Sequence, residues 1–139
     1  MSKIFPAKIE ELYAMLDFIS SFVEDGEVGR FDLEKIQMAS EEALVNIISY
    51  AYPEGEGEVE VDCAFSDLKE LKIVIKDKGV CFNPLEDSVE VDIEASIDER
   101  NIGGLGLMMI RKFMDQVSYE RNQNMNILTM KKRISPEII

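Results

Sequence analysis

The sequence contains no histidine and only two cysteines, and this scarcity excludes several kinds of chemistry. Catalysis by a Ser-His-Asp or Cys-His arrangement needs an imidazole, so both arrangements are excluded. Cys63 and Cys81 are too far apart in sequence for a redox Cys-x-x-Cys pair, and without histidine a zinc site is not expected. We expect each cysteine to be a small residue of the core.

Positive charge is also scarce, because 15 Lys and Arg residues stand against 28 Asp and Glu residues and leave a formal net charge of −13. Such a chain would be repelled by the phosphates of a nucleic acid, so we expect no nucleic-acid partner. The charge suits a basic protein partner, or solubility alone. The apolar runs are too short to cross a bilayer and no apolar leader follows the first residues, so we expect a cytoplasmic protein without a membrane partner.

Length and hydrophobic periodicity predict a single domain over residues 1–139. Helical spacing predicts a first helix over residues 7–24, with a buried stripe of Ile9, Leu12, Tyr13, Leu16, Ile19 and Val23. Asp32 is expected to cap a second helix, whose buried stripe is Ile36, Ala39, Ala43, Ile47 and Ala51. A third stripe predicts a helix after residue 104, formed by Leu105, Met109, Ile110, Phe113, Met114 and Val117.

Between these helices the hydrophobic period changes to two, which indicates strands. Residues 59–65 and 71–76 are expected to pair as antiparallel strands, and the last part of the chain as a hairpin turning at residues 122–126. Residues 83–102 carry seven acids against one base, Arg100, and are expected to form a mobile loop or lid. The sum is an α+β sandwich of three helices and at least four strands, mainly antiparallel.

Three glycines lie within residues 103–106, at the start of the third predicted helix. They are explained either by a tight turn or by a ligand that the backbone must approach closely. The dinucleotide fingerprint is rejected because Met109 stands where its third glycine belongs, and the ATP loop G-x-x-x-x-G-K-[ST] is absent.

Two further segments carry polar residues at unusual places. Glu42 and Asn46 are four residues apart and therefore leave the same face of the second helix, and asparagine is a poor residue for a helix interior. Asp77 and Gly79 follow directly after a strand. Taken singly, Asp77 with Gly79 is also a common strand-end turn, Asn46 a tolerated polar residue and Glu42 a surface charge.

Together these segments form an ordered set: E-x-x-x-N on a helix, D-x-G after a strand, and G-x-G opening a helix beyond a long loop. The set resembles the GHKL (Bergerat-fold) ATPases, and within them the bacterial anti-sigma factors that are also serine-protein kinases. The resemblance extends over almost the whole chain through SEEALVNIISYAYP, VIKDKGVCFNP, GGLGLMMIRKFMDQVSYER and NILTMKK. It implies a two-layer α/β sandwich of the histidine-kinase-like type, with about three helices on one face of the sheet and an ATP lid.

The resemblance also implies a role for each residue of the set. Asn46 would hold Mg²⁺ against the phosphates of ATP, and Asp77 would accept a hydrogen bond from the adenine amino group. Glu42 would be the general base that takes the proton from a serine hydroxyl. Gly79 would let the backbone approach the adenine ring. The remaining residues expected to bind the nucleotide are Phe82, Arg100, Gly103, Gly104, Leu105 and Gly106.

The implied function is that of an ATP- and Mg²⁺-dependent serine-protein kinase. Its partners would be a sigma factor or similar regulator and a small anti-anti-sigma protein as the phosphorylation substrate, and the chain would be a homodimer. The sequence departs from its relatives at Tyr50, Cys81 and Ile102, and Arg100 is the lid's one cation. Loss of a cation at the γ-phosphate would weaken catalysis by several kcal/mol. A nucleotide-dependent module that sequesters its partner without catalysis is therefore the alternative.

Overall fold

The computed structural model describes residues 1–53, 55–83 and 102–134, with the backbone alone at 102–107. Within these residues the strands are β1 (Ser2–Pro6), β2 (Glu58–Phe65), β3 (Glu70–Asp77), β4 (Gln116–Asn122) and β5 (Met125–Arg133). A short 3-10 turn (Ile9–Glu11) precedes the helices α1 (Leu12–Asp25), α2 (Arg30–Tyr50) and α3 (Ile102–Phe113). The strands form one sheet in the order β1-β2-β3-β5-β4, and every pairing between them is antiparallel.

The sheet has one buried face because its strands alternate apolar and polar side chains. Val59, Val61 and Cys63 of β2 are fully buried, whereas Glu58 is exposed and Glu60 is only partly covered. The same alternation buries Leu71, Ile73 and Ile75 of β3. The helices cover this face and complete a single buried cluster, so the predicted two-layer α+β architecture is confirmed.

The prediction for α1 is close at its end but begins five residues too early, since residues 9–11 form the 3-10 turn, and it is partly wrong in its buried face. Leu12, Ile19 and Val23 are buried as expected, and Met15, which the sequence reading omitted, joins them. Tyr13 and Ile9, which were expected on the stripe, are 83% and 54% exposed. The buried set follows an i, i+3, i+7, i+11 pattern from Leu12, and Tyr13 lies one residue, or about 100°, away from it.

All five residues of the predicted α2 stripe are buried, the last of them, Ala51, directly after the helix ends. Asp32, however, is not the N-cap of α2. The helix begins at Arg30, with Gly29 at the N-cap position and Asp32 already inside the first turn. There Asp32 Oδ1 lies 3.9 Å from the ammonium group of Lys132, a buried residue of β5. Lys132 also donates a hydrogen bond of 2.9 Å to the carbonyl oxygen of Phe113 at the end of α3. One buried cation thus joins the start of α2 to the end of α3.

Helix α3 packs against α2 and contains the glycines in its first turns rather than in a preceding loop. It ends at Phe113, so Val117, which was predicted on its stripe, belongs to β4 instead. Directly after α3, the backbone N–H of Asp115 donates a hydrogen bond to the carbonyl oxygen of Lys131 in β5. The pairing of the β4–β5 hairpin therefore starts two residues after the helix ends. The predicted hairpin is confirmed, with Gln123 and Asn124 in its turn at φ values of 51° and 62°.

Three other expectations have different outcomes. Strand β1 was not predicted, although it pairs along its whole length with β2. Cys63 is buried as expected, but Cys81 is exposed because it lies in the loop that follows β3, beyond the covered face of the sheet. The acidic segment expected to form a lid lies outside the described residues except for its two ends, Asn83 and Ile102. Among the described residues, no helix is both long enough and apolar enough to cross a membrane.

Candidate functional site

Asp77 is a carboxylate on the buried face of the sheet. It is the last residue of β3 and 3% exposed, because the alternation that buries Ile73 and Ile75 continues into it. Its Oδ1 accepts hydrogen bonds from the backbone N–H of Gly79 at 2.9 Å and from the side-chain amide of Asn126 at 2.8 Å. Burial raises the pKa of Asp77, and the two hydrogen bonds and the nearby charge of Arg121 oppose that rise.

A small cavity lies beside this carboxylate, between the end of α2 and the sheet. Its volume is about 10 Å³, room for about one water molecule. Phe82 lines it from the loop after β3, and the Phe82 ring stacks on Tyr50 with their centroids 5.2 Å apart. The lining residues are Ile47, Ala51, Ile75, Asp77, Phe82, Tyr119, Asn126 and Leu128.

Gly79 holds the loop after β3 against the end of α2. A Cβ atom on Gly79 would lie 2.1 Å from the carbonyl oxygen of Ala51, much closer than any real contact. The next residue, Val80, donates its backbone N–H to that same oxygen at 2.8 Å. The neighbour that demands glycine here is therefore the Ala51 backbone, and the predicted approach of Gly79 to an adenine ring stays a prediction.

Glu42, Asn46 and Tyr50 form a row along one face of α2, each one turn beyond the last. Four residues of helix rise by about 6 Å, so the row is about 12 Å long. Its Tyr50 end touches Phe82 and thereby the cavity beside Asp77. Asn46, 5% exposed, lies in the middle, and Glu42 lies at the far end. Asn46 and Glu42 therefore share one face of α2, and the Tyr50 end of that face contacts Phe82 beside Asp77. That these residues bind one nucleotide stays a prediction.

Glu42 has an environment unusual for a helix glutamate. Its side chain is partly buried, and its Oε2 atom is fully buried without a hydrogen-bond partner among the described residues. Burial raises the pKa of Glu42, and the negative charge of the neighbouring Glu41 raises it further. A carboxylate that has lost its water without gaining a donor is a stronger base than one at the surface.

The glycine-rich residues lie at the N-terminus of α3. Gly103, Gly104 and Leu105 fall within the first four helical residues, whose backbone N–H groups have no acceptor inside the helix. Gly106 follows in the next turn. Such an N-terminus favours an anion. Arg100, the predicted lid cation, lies outside the described residues.

The sequence prediction missed Asn126, a buried amide that is hydrogen-bonded at both its nitrogen and its oxygen. Besides its bond to Asp77, its Nδ2 donates to the carbonyl oxygen of Val80 at 2.7 Å. Its Oδ1 accepts from Tyr119 Oη at 2.5 Å and from Arg121 at 3.2 Å. The signal was present in the sequence, because Asn126 is the one amide in an alternating run whose other inward residues include Leu128 and Met130.

Comparisons with known proteins identify the family of the chain. A family model described as the histidine kinase-like ATPase domain matches residues 5–132. The chain is 29% identical over 102 residues to the serine/threonine-protein kinase BtrW of Bordetella bronchiseptica, across 73% of this chain and 71% of that one. It is 32% identical over 103 residues to the serine-protein kinase RsbW of Bacillus mycoides, across 72% of this chain. It spans 64% of that kinase's length, slightly less than two thirds.

Two solved structures share the fold. The chain superposes on a structure of the RsbU and RsbW domains of a Mycobacterium tuberculosis protein with a TM-score of 0.66 at 13% identity, covering 99% of this chain and 33% of that one. It superposes on a blue-light activated histidine kinase of Erythrobacter litoralis with a TM-score of 0.59 at 16% identity, covering 77% and 32%. These structures show the fold, and the family match over residues 5–132 shows that the chain belongs to the histidine kinase-like ATPase domain family.

Proposed function

We propose that the chain is an ATP- and Mg²⁺-dependent serine-protein kinase that also acts as an anti-sigma factor. The observation that carries the proposal is the row on α2, which runs from the cavity beside Asp77 through Asn46 to the buried Oε2 of Glu42. A nucleotide lying along this row would have its base at one end and its terminal phosphate at the other. The serine kinases BtrW and RsbW, at 29% and 32% identity, support the reaction type.

The base end offers the buried carboxylate of Asp77 as an acceptor. Asp77 accepts hydrogen bonds and, when ionised, donates none, so it suits the amino group of adenine and rejects the carbonyl oxygen that guanine has at the same position. The cavity of about 10 Å³ is too small for a purine, so binding requires its lining to move. Phe82 lies in the loop after β3, and its displacement would open space next to Asp77.

The phosphate end fits a magnesium ion shared between protein and nucleotide. The described residues contain no group of three acidic, cysteine or histidine side chains that could hold a metal by themselves. Mg²⁺ commonly takes one or two protein oxygens and completes its shell with phosphates and water, and the amide oxygen of Asn46 fits that share. Bound Mg²⁺ would neutralise phosphate charge. Backbone N–H groups of Gly103 and Gly104 would bind phosphate oxygens directly, with Leu105, Gly106 and Arg100 closing the site.

Glu42 is assigned the role of general base. The serine oxygen of the substrate attacks the γ-phosphorus, the bond to the leaving ADP oxygen breaks, and the serine proton passes to Glu42. The unpartnered Oε2 atom of Glu42 leaves an acceptor free for that proton. Burial, which raises its pKa, makes it a better acceptor.

The partners proposed for this chain are a sigma factor or similar regulator and a small anti-anti-sigma protein as the serine substrate, with the chain itself a cytoplasmic homodimer. The formal charge of −13 fits a partner with a basic surface and disfavours a nucleic acid. Tyr50 favours the second candidate, a sequestering module without useful catalysis. Its ring stacks on Phe82 and supplies no positive charge to the phosphates.

Two measurements test the proposal and separate the candidates. Calorimetric titration with ATP in the presence and absence of Mg²⁺ should show tight binding that depends on the metal, and Asn46→Ala should remove that dependence. Incubation of the chain with radiolabelled ATP and a partner captured from its native host should then label a serine of that partner. Binding of ATP and the partner without any transfer would establish the sequestering module, and absence of ATP binding would overturn both.

A further inference from the structure

The carboxylate of Asp77 is hydrogen-bonded through one of its two oxygens, Oδ1. Both hydrogen bonds that the described residues make to it fall on Oδ1, one from Gly79 N and one from Asn126 Nδ2. The backbone donor belongs to the tight loop that follows β3 and would be present with many side chains in position 126. Asn126, 4% exposed, is the side chain that reaches the same oxygen from the neighbouring strand β5.

The orientation of the Asn126 amide is fixed by its other end. Its Oδ1 accepts from Tyr119 Oη, from Arg121 at 3.2 Å and from the backbone N–H of Phe82 at 3.4 Å. A flipped amide would turn its NH₂ group towards the Arg121 and Phe82 donors and its oxygen towards the Asp77 carboxylate and the Val80 carbonyl oxygen, and neither arrangement can form a hydrogen bond. Nδ2 must therefore face Asp77, where it donates a proton and accepts none.

A donor fixed in this way acts on the protonation state of Asp77. Burial favours the neutral acid, which carries an O–H donor, whereas a hydrogen bond from Nδ2 favours the ionised form, which is an acceptor at both oxygens. Among the described residues, the other charged and titratable groups around Asp77 are Arg121 and Tyr119 on β4 and Lys78 and Cys81 in the loop after β3. Arg121 also favours the ionised carboxylate, and its guanidinium is tied to the loop by a bond of 2.8 Å to Gly79 O.

We propose that Asn126 is the positioning residue that keeps Asp77 a hydrogen-bond acceptor and thereby makes the pocket select 6-amino purines over 6-oxo purines. This rests on the proposed nucleotide site and adds the origin of its specificity. If Asp77 became protonated, its O–H would donate to a 6-oxo group, and the selection would weaken or reverse. Asn126 does not need to touch the nucleotide for this role.

The test compares ATP with inosine triphosphate, which replaces the 6-amino group by an oxo group and adds nothing at position 2. Calorimetric dissociation constants are measured from pH 6 to pH 9 for the wild type, Asn126→Leu and the control Asn122→Leu, an exposed asparagine at the end of β4. The wild type and the control should prefer ATP across this range. Asn126→Leu should lose at least about tenfold of that preference, the effect of about one lost hydrogen bond. The loss should grow as the pH falls, because without the Asn126 donor the rise that burial causes in the pKa of Asp77 is less opposed.

A milder variant guards against a misfolded protein. Tyr119→Phe keeps the ring and removes one donor to Asn126 Oδ1, so it should shift the ratio in the same direction by a smaller factor. If Asn126→Leu weakens ATP and the inosine nucleotide equally at every pH, Asn126 is merely structural and the proposal is wrong. A wild type that binds both nucleotides equally also overturns it while nucleotide binding stands. A wild type that binds neither overturns the proposed function as well.

Discussion

Gly79 and Ala51 are in direct backbone contact, so the loop carrying the Asp77–Gly79 turn is pressed against the last turn of α2. A Cβ atom at position 79 would lie 2.1 Å from the Ala51 carbonyl oxygen and 2.6 Å from its carbonyl carbon. Because both atoms are backbone, no side-chain rotation relieves the overlap. The contact therefore fixes the distance between the two elements that line the base pocket, and substitution of Gly79 should be felt by fold and site together.

Gly79→Ala should lower the free energy of unfolding by about 1–3 kcal/mol, the usual cost of an overpacked methyl group. The bond from Val80 N to Ala51 O, 2.8 Å long, should lengthen or break with it. Urea denaturation followed by circular dichroism measures the change. Gly55→Ala is the matched control, because a Cβ there meets no atom within 4 Å in the described structure, and it should change stability by less than about 0.5 kcal/mol. Equal stability of the two variants would contradict the contact.

The two cysteines should differ sharply in reactivity. Cys63 is fully buried in β2, and burial with the nearby charge of Asp62 raises the pKa of its thiol from 9.0 to about 12, leaving about a thousandfold less thiolate. Cys81 is exposed. Treatment of the folded protein with iodoacetamide at pH 8 should label Cys81 alone, and the same treatment in urea should label both, as measured by peptide mass spectrometry. Rapid labelling of Cys63 without denaturant would show that β2 opens readily.

Sequence periodicity anticipated most of this fold because its signals were long and regular. The alternation of β2 and β3 and the stripe of α2 fixed their faces, whereas β1 has five residues and too short a pattern to be recognised without its partner strand. Val117 was assigned to α3 because its spacing from Met114 and Phe113 is helical, and the pairing of β4 with β5 overrides that local spacing. Long-range hydrogen bonding of this kind is invisible to a local pattern.

The site was anticipated to the extent that its residues form short ordered motifs. Glu42 with Asn46, and Asp77 with Gly79, are neighbours in sequence, and their spacing alone places them. Asn126 is 49 residues from Asp77 and becomes its partner only through the register of β3 with β5. The reason for glycine at position 79 was likewise hidden, because Ala51 meets it only after α2 and the β3 loop are packed.

Glu42 should make the protein less stable at neutral pH than it would be with an uncharged side chain. Its pKa in the folded state is raised above the ordinary value of 4.5, so between 4.5 and that higher value the folded state binds more protons than the unfolded state. The contribution of Glu42 to the free energy of unfolding therefore falls as the pH rises from 4.5 through the raised pKa, and it stays low above that pKa. Glu42→Gln should be more stable than the wild type at pH 7, and the difference should vanish below about pH 4.

Urea denaturation at a series of pH values measures this difference directly. Glu24→Gln, at an exposed glutamate of α1, is the control and should follow the wild type throughout. A Glu42→Gln variant that tracks the control at every pH would mean that Glu42 is solvated in the folded protein. That result would also weaken its assignment as a base, because the buried Oε2 atom supports both expectations.

Glu42→Gln should separate nucleotide binding from phosphoryl transfer. Glutamine keeps the shape of the side chain and its place one turn from Asn46, so affinity for Mg²⁺-ATP should stay within about threefold of the wild type, the effect of less than 1 kcal/mol. Without a carboxylate to accept the serine proton, the rate of transfer to the bound partner should fall by about 10²–10⁴-fold.

Single-turnover transfer of radiolabelled phosphate measures that rate. The matched control is Glu41→Gln, one residue away on a different face of α2, which should transfer phosphate at nearly the wild-type rate. Transfer by Glu42→Gln at the wild-type rate would place the base elsewhere. A fall in transfer that is fully accounted for by lost ATP affinity would make Glu42 a residue of the binding site alone.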